Sequence, residues 1–148
     1  MSASASFVKS LLAQCCLGGI CEWVVCPGAR NMALLQVLAA AEDLVKWTHF
    51  DERPAAFFAL GRIQDMGLPV AVVTTSGTAA AELLPAVVEA YYQRRPLLLL
   101  TADRPADYRG SAAPQAIEQA DLFGIYAPTI DLETPDSLPE DILEDWDY

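Results

Sequence analysis

Basic residues and histidine are scarce in this sequence, and their scarcity excludes several kinds of function. Against 20 acidic side chains there are nine Lys and Arg and one histidine, and the formal net charge is -11. A nucleic-acid-binding surface needs an excess of cations to neutralise phosphates, and this chain has none. The sequence also makes no case for a Ser-His-Asp triad, and His49 is interpreted as a structural strand residue.

Long apolar runs are missing as well, although 53% of the residues are hydrophobic and the mean hydropathy is +0.26. A membrane-spanning helix needs about 20 successive apolar residues, whereas the leucine run at 97–100 has four. We therefore expect no membrane span. The apolar content fits one domain with a sizeable core, and a surface covered by a partner would be a second cause.

The four cysteines lack the paired C-x-x-C spacing of a zinc site. Residues 1–7 carry no basic region of the kind that opens a secretory signal. We expect reduced thiols, no metal ligands and a cytoplasmic protein.

Acidic residues are concentrated at the end of the chain. Residues 1–130 hold twelve acidic and nine basic side chains, whereas 131–148 hold eight acidic and no basic ones. We interpret 1–130 as the folded domain and 131–148 as an acidic segment or the start of a linker.

Apolar periodicity predicts alternating helices and strands, typical of an α/β fold. The expected architecture is three-layered (αβα), with a parallel sheet and helices on both faces. Because it is apolar throughout, 97–101 is expected to be a central strand. Asn31 should cap a helix, and Pro85 should kink a long helix that begins near Ser76. The predicted strands are 23–26, 46–50, 70–74 and 97–101, with a last short one near 126–130.

A polar cluster follows each of the four main strands, at 27–30, 51–53, 75–78 and 102–105. The carboxyl ends of parallel strands meet at one sheet edge, where α/β proteins bind ligands. Taken singly, each cluster has a simpler reading: a turn at 27–30, helix caps at 51–53 and 75–78, and a local ion pair at 102–105. Their convergence predicts a site.

Five motifs in this order resemble the N-terminal, aminopyrimidine-binding (Pyr) domain of the 2-succinyl-5-enolpyruvyl-6-hydroxy-3-cyclohexene-1-carboxylate synthases (MenD), which are thiamine-diphosphate enzymes. The resemblance covers about residues 20–130. The motifs are Pro-Gly-x-Arg (27–30), Thr-His-Phe-Asp-Glu-Arg (48–53), Val-Thr-Thr-Ser-Gly-Thr-Ala (73–79), Leu-Thr-Ala-Asp-Arg-Pro (100–105) and Gln-Ala-Ile-Glu-Gln (115–119) followed by Leu-Phe-Gly (122–124).

The resemblance implies a catalytic and cofactor-binding role for Glu52, which matches the glutamate that bonds N1′ of the aminopyrimidine and promotes deprotonation of thiazolium C2. The reaction would decarboxylate 2-oxoglutarate and add the succinyl carbanion to isochorismate, in menaquinone biosynthesis. Such a carboxyl group must stay partly protonated near neutral pH, and we expect burial beside Phe50, Phe57 and Phe58 to achieve this.

The remaining site residues also come from the resemblance. Arg30 and Arg104 match arginines that face substrate carboxylates, and Gln115 matches a polar residue near the substrate. The cofactor cleft would be lined by Ser76, Gly77 and Thr78.

Two positions depart from the family pattern: Ala29 stands where a serine is usual, and Pro114 where an asparagine is usual. Both lie on the substrate side and open the alternative of another acceptor. The Gly-Asp-Gly…Asn motif that holds Mg²⁺ and the diphosphate is absent. The chain would then be a fragment, a split subunit or a non-catalytic interaction module. The resemblance implies a diphosphate-binding domain in cis or trans, a homodimer, and no activity of the isolated chain.

Overall fold

The computed structural model describes residues 3–132, in which four parallel strands alternate with helices. Beyond Leu132, the predicted acidic segment lies outside the described residues. The elements are α1 (Ala3–Leu17), β1 (Glu22–Val25), α2 (Met32–Ala40), β2 (Val45–Thr48), α3 (Glu52–Met66), β3 (Val70–Thr74), α4 (Thr78–Ala81), α5 (Leu84–Gln93) and β4 (Leu97–Thr101), with short 3-10 helices at Ala106–Tyr108 and Gly124–Tyr126.

The sheet has the strand order β2-β1-β3-β4, and all three strand pairs are parallel. Alternate side chains of a strand point to opposite faces. On one face, Trp23 and Val25 of β1 pack under α1 and α2. On the other, Val24 packs under α3 and α5. The predicted three-layer αβα architecture is confirmed.

Local sequence signals explain where the helices begin and end. Asp51 caps α3, since its carboxylate accepts a hydrogen bond from the backbone N–H of Arg53. Gly67 ends the same helix in the left-handed conformation, with φ of 68°. The predicted kink at Pro85 is a complete break: α4 ends at Ala81, and Pro85 lies in the first turn of α5.

Two expectations about the sheet are wrong. Strand β4 lies at an edge rather than at the centre, and all five of its residues are half-buried. The strand predicted near 126–130 is absent, and a 3-10 helix at Gly124–Tyr126 precedes that stretch. Both expectations fail on the same side of the sheet, since no segment within residues 3–132 pairs with the outer side of β4.

An ion pair braces the amino end of the sheet, opposite the predicted site. Glu22 begins β1 and is buried; both its carboxylate oxygens accept hydrogen bonds from Arg62 of α3, at 2.7 and 2.8 Å. The indole N–H of Trp47 in β2 donates to the same carboxylate at 3.1 Å. These bonds connect β1, β2 and α3.

In the described part of the chain, no helix combines the length and apolar character needed to cross a bilayer.

Candidate functional site

The strand order creates a switch point between β1 and β3. From β1 the chain leads outward to β2, whereas β3 lies on the other side of β1. Ligands of open α/β sheets bind at the carboxyl ends of such strands. Here the two turns touch: an ideal Cβ placed on Gly28 would lie 2.5 Å from Cβ of Thr75. Only glycine fits this close approach.

Asn31 holds the turn after β1 in shape. This buried side chain accepts a hydrogen bond from the backbone N–H of Gly28 at 2.8 Å and donates to the carbonyl of Cys26 at 2.9 Å. Asn31 therefore occupies the predicted N-cap position of α2, but its side chain bonds the preceding turn rather than the N–H groups of the helix. Arg30, on the same turn, is exposed.

Glu52 is the first residue of α3, and its half-buried side chain reaches the end of the central strand β3. Its Oε1 accepts a hydrogen bond from the hydroxyl of the fully buried Thr74 at 3.3 Å. Within residues 3–132 no hydrogen bond is formed by Oε2. The neighbouring Cys26 thiol has its pKa raised to about 12, first by burial and then by the nearby charges of Glu52 and Asp51, so it stays protonated.

The aromatic residues expected to bury Glu52 do not do so within the chain. Phe50 is fully exposed and Phe57 is 43% exposed. Phe58 is half-buried, but its ring packs against Trp47 and His49, with centroids 5.3 and 4.9 Å away. The expectation was wrong for Phe50 and Phe57, because the backbone directs these side chains to solvent. The structural interpretation of His49 is consistent with its ring contact.

The turn at Ser76, Gly77 and Thr78 is joined to Gln115. The Gln115 amide donates to the carbonyl of Ser76 at 2.7 Å, and the backbone N–H of Thr78 donates to the carbonyl of Gln115 at 3.1 Å. Gly77 has φ of 77°, and a Cβ on it would overlap that carbonyl oxygen. Gln115 itself has a positive φ of 56°. The two segments are thus packed backbone to backbone.

Gln119 is the residue that sequence reasoning missed. It is 8% exposed, and its Oε1 accepts a hydrogen bond from the backbone N–H of Gly77 at 2.7 Å. Its Nε2 donates to the hydroxyl of Thr101 at 3.0 Å and to the carbonyl of Ala102 at 2.9 Å. The only signal available beforehand was a second glutamine four residues after Gln115.

Arg104 is half-buried at the end of β4, and its guanidinium donates to the carbonyl of Pro114 at 2.8 Å. Its Nε is buried and has no hydrogen-bond partner in the described region. The simple alternative, an ion pair with Asp103, is wrong, because the carboxylate of Asp103 pairs with Arg109 at 3.2 Å. Arg109 also holds Asp131. Because the Arg104 guanidinium has five N–H donors and makes one hydrogen bond, to Pro114, in the described chain, its terminal nitrogens retain donor capacity for a ligand.

The structure brings most of the candidates together. Contacts join the turns after β1 and β3, Glu52 to β3, and the segment 115–119 to both the β3 turn and the end of β4. No hydrogen bond or ion pair connects Arg30 to the others among residues 3–132. A carboxyl group at a helix start, with one oxygen that forms no hydrogen bond in the described chain, can share a proton with the ring nitrogen of a heterocycle, because it donates when it is protonated and accepts when the ring nitrogen carries the proton. No group of three metal-ligating side chains occurs in this part of the chain.

Comparison with known proteins agrees with this geometry. The model of the family described as thiamine pyrophosphate enzyme, N-terminal TPP binding domain, matches residues 7–122. Over its full 148 residues, the chain is 94% identical to the 2-succinyl-5-enolpyruvyl-6-hydroxy-3-cyclohexene-1-carboxylate synthase of Akkermansia muciniphila, and it covers 28% of that protein. Synthases of the same name match at 51% over 120 residues in Bdellovibrio bacteriovorus and at 50% over 133 residues in Geobacillus thermodenitrificans, covering 23% and 22% of those proteins. The chain thus spans about a quarter of the length of these curated relatives.

Proposed function

The chain belongs to the thiamine pyrophosphate (thiamine diphosphate) enzymes, as their N-terminal TPP-binding domain, and on that premise we propose that it is the aminopyrimidine-binding half of a synthase. The synthase decarboxylates 2-oxoglutarate and adds the succinyl group to isochorismate in menaquinone biosynthesis. The relatives' name supports this reaction. The observation that carries the proposal is the Glu52 carboxylate, bonded to Thr74 at the end of the central strand.

Glu52 would act as the proton-sharing group for the cofactor ring. Thiamine diphosphate, when bound, supplies a thiazolium carbon that adds to 2-oxo acids. Thr74 donates to Oε1 of Glu52 and so orients the carboxyl group, which leaves Oε2 to share a proton with N1′ of the aminopyrimidine. In this role the carboxyl group holds a proton at one defined atom while the rigid start of α3 keeps it in place.

The substrate side of the site belongs to the two arginines and to Gln115. A planar guanidinium binds carboxylates with two parallel hydrogen bonds, and 2-oxoglutarate and isochorismate each carry two carboxylates. Arg104, whose guanidinium donates to one carbonyl in the described chain, and the exposed Arg30 are the candidate partners. Gln115 is held against Ser76, and Ser76, Gly77 and Thr78 would line the cofactor cleft beside it.

The proposal includes parts that the chain does not itself supply. A diphosphate-binding domain, in cis or in trans, would hold Mg²⁺ and the diphosphate, and without it the isolated chain would be inactive. Residues 1–130 would be the Pyr domain, and 131–148 the beginning of the connection to it. A cytoplasmic homodimer completes the proposal; the exposed Phe50 and Phe57 beside Glu52 support a covered surface there.

A chimera tests the function directly. The 148 residues replace the matching N-terminal segment of the Akkermansia synthase, and the product is assayed with 2-oxoglutarate and isochorismate. Activity close to that of the parent enzyme is expected. Glu52→Gln should abolish turnover while circular dichroism and oligomeric state stay unchanged, and retained turnover would refute the assignment. A folded chimera without any activity would support a non-catalytic interaction module instead.

Two departures from the family pattern favour a second candidate, a synthase with a different acceptor. Ala29 lacks the hydroxyl usual at its position, and Pro114, whose carbonyl lies against the Arg104 guanidinium, lacks the usual asparagine side chain. Both features alter the substrate side and leave Glu52 untouched. If the chimera decarboxylates 2-oxoglutarate but adds the succinyl group faster to another unsaturated acid than to isochorismate, this candidate is correct.

A further inference from the structure

We propose that Gln119 is a positioning residue, whose side-chain amide sets the turn at Ser76, Gly77 and Thr78 relative to the end of β4. The inference rests on the proposed function only in assigning that turn to the cofactor cleft. The geometry itself is a property of the fold.

The amide of Gln119 uses both of its ends. Oε1 accepts from the backbone N–H of Gly77, and Nε2 donates to the Thr101 hydroxyl and the Ala102 carbonyl, with all three distances between 2.7 and 3.0 Å. The side chain is buried, so none of these bonds is replaced by water without cost. One amide therefore connects the turn after β3 with the last residues of β4.

No backbone hydrogen bond of the sheet can take over this connection. The β3–β4 ladder ends with Thr74 paired to Thr101, and Ala102 adds one bond to the carbonyl of Thr74. Beyond this point Gly77 adopts a conformation, φ 77° and ψ -130°, that only glycine holds easily. A turn in such a conformation needs a partner that fixes its N–H, and Gln119 provides it.

Gln115 bonds the two residues on either side of Gly77, the glycine that Gln119 anchors. The backbone carbonyl of Gln115 accepts a hydrogen bond from the N–H of Thr78, and the side-chain amide of Gln115 donates to the carbonyl of Ser76, on the other side of Gly77. Residues 115 and 119 thus bracket one glycine from two directions. Loss of the Gln119 anchor should loosen both the cleft lining and the predicted substrate contact.

The test uses two substitutions in the chimera. Gln119→Met keeps the size of the side chain and removes all three hydrogen bonds. Gln119→Glu keeps the acceptor for Gly77 but, when ionised, loses the donor to Thr101 and Ala102. The matched controls are Gln93→Met and Gln93→Glu, because the exposed Gln93 side chain on α5 bonds only Glu89 among the residues that the structure describes.

Two readouts are measured: hydrogen–deuterium exchange of the peptide containing Gly77, and the Kd for thiamine diphosphate. Gln119→Met should speed exchange at least tenfold and raise the Kd about tenfold, with no change at Gln93. Gln119→Glu should approach the unsubstituted Kd at pH 6 and depart from it at pH 8, because burial at this position raises the pKa of the introduced carboxyl group, and its protonated form regains the donor. The three partners of Gln119 do not titrate in this range, so the ratio of variant to unsubstituted Kd reports the introduced carboxyl group.

Exchange and Kd within twofold of the unsubstituted protein for Gln119→Met would overturn the inference. A ratio for Gln119→Glu that does not change between pH 6 and 8 would do so as well, even if Gln119→Met failed to fold. Failure of the proposed function looks different. The unsubstituted chimera would then not bind thiamine diphosphate, while exchange at Gly77 would still respond to Gln119→Met.

Discussion

Replacing Gly77 by alanine should destabilise the protein far more than the same replacement at Gly61. Gly77 lies in the turn after β3, the strand whose last residue, Thr74, bonds Glu52, and it has φ of 77°. A Cβ there would overlap the carbonyl oxygen of Gln115 and lie 2.9 Å from its carbonyl carbon. Gly61 lies inside α3, and within residues 3–132 no atom beyond its chain neighbours and the adjoining helix backbone comes within 4 Å of the position its Cβ would take.

The magnitude follows from three contributions at Gly77. A non-glycine residue at positive φ costs about 1–2 kcal/mol. Backbone displaced by an inserted methyl group costs about 1–3 kcal/mol more. Separation of the two segments breaks the bond between Thr78 and Gln115, which contributes about 1 kcal/mol. We therefore expect Gly77→Ala to lower the free energy of unfolding by about 4 kcal/mol. Gly61→Ala should raise it by about 0.5–1 kcal/mol, as in other helix interiors.

Urea unfolding followed by tryptophan fluorescence measures both changes, since Trp23 is completely buried in the native state. The slope of free energy against urea must be the same in all three proteins for the comparison to hold. The reasoning is refuted if Gly77→Ala costs less than about 1 kcal/mol, the range of an ordinary exposed substitution. It is also refuted if the two glycines respond with the same sign and size.

Three further outcomes follow from buried groups. Hydrogen bonds from its arginine partner, and then from an indole N–H, hold the pKa of Glu22 below its usual value despite burial. The stabilisation that Glu22 provides is therefore complete above its pKa in the unfolded chain and is lost as the pH falls through its pKa in the folded protein. Glu22→Gln should flatten the acid side of a curve of unfolding free energy against pH. Asn31→Ala removes the partner of one buried and one part-buried backbone group and should lower the free energy of unfolding, measured in urea, by about 3 kcal/mol. A loss under about 1 kcal/mol would contradict the role of Asn31 in the turn. Burial raises the pKa of the Cys15 and Cys26 thiols to about 12, so these thiols stay protonated at pH 8. Because iodoacetamide reacts with the thiolate, it should alkylate the two exposed cysteines first at this pH, and mass spectrometry can check the order.

Much of the fold could be predicted because its signals are local. Strand 70–74 depends on residues within a few positions, and it is confirmed. The break at Pro85 follows from the geometry of one ring. The joining of three polar clusters at one sheet edge followed from parallel alternation alone, without any knowledge of contacts.

The edge position of β4 could not be predicted, because four leucines in a row indicate burial but do not say which strand lies alongside. The exposure of Phe50 has a similar cause. The sequence shows that Phe50 is apolar, but the direction of its side chain depends on the conformation of the turn between the strand and the helix. Gln119 was missed because its partners are 17, 18 and 42 residues away in the chain, and no periodicity records such contacts.

The most direct test concerns the carboxyl group of Glu52. Deuterium exchange at thiazolium C2 of thiamine diphosphate bound to the chimera is followed by NMR after rapid quenching, with and without Glu52→Gln. The account predicts that the substitution slows exchange by about 10²–10⁴-fold, the usual contribution of a positioned proton-transfer group, while the cofactor remains bound. Equal exchange rates in the two proteins, with the cofactor bound in both, would contradict it.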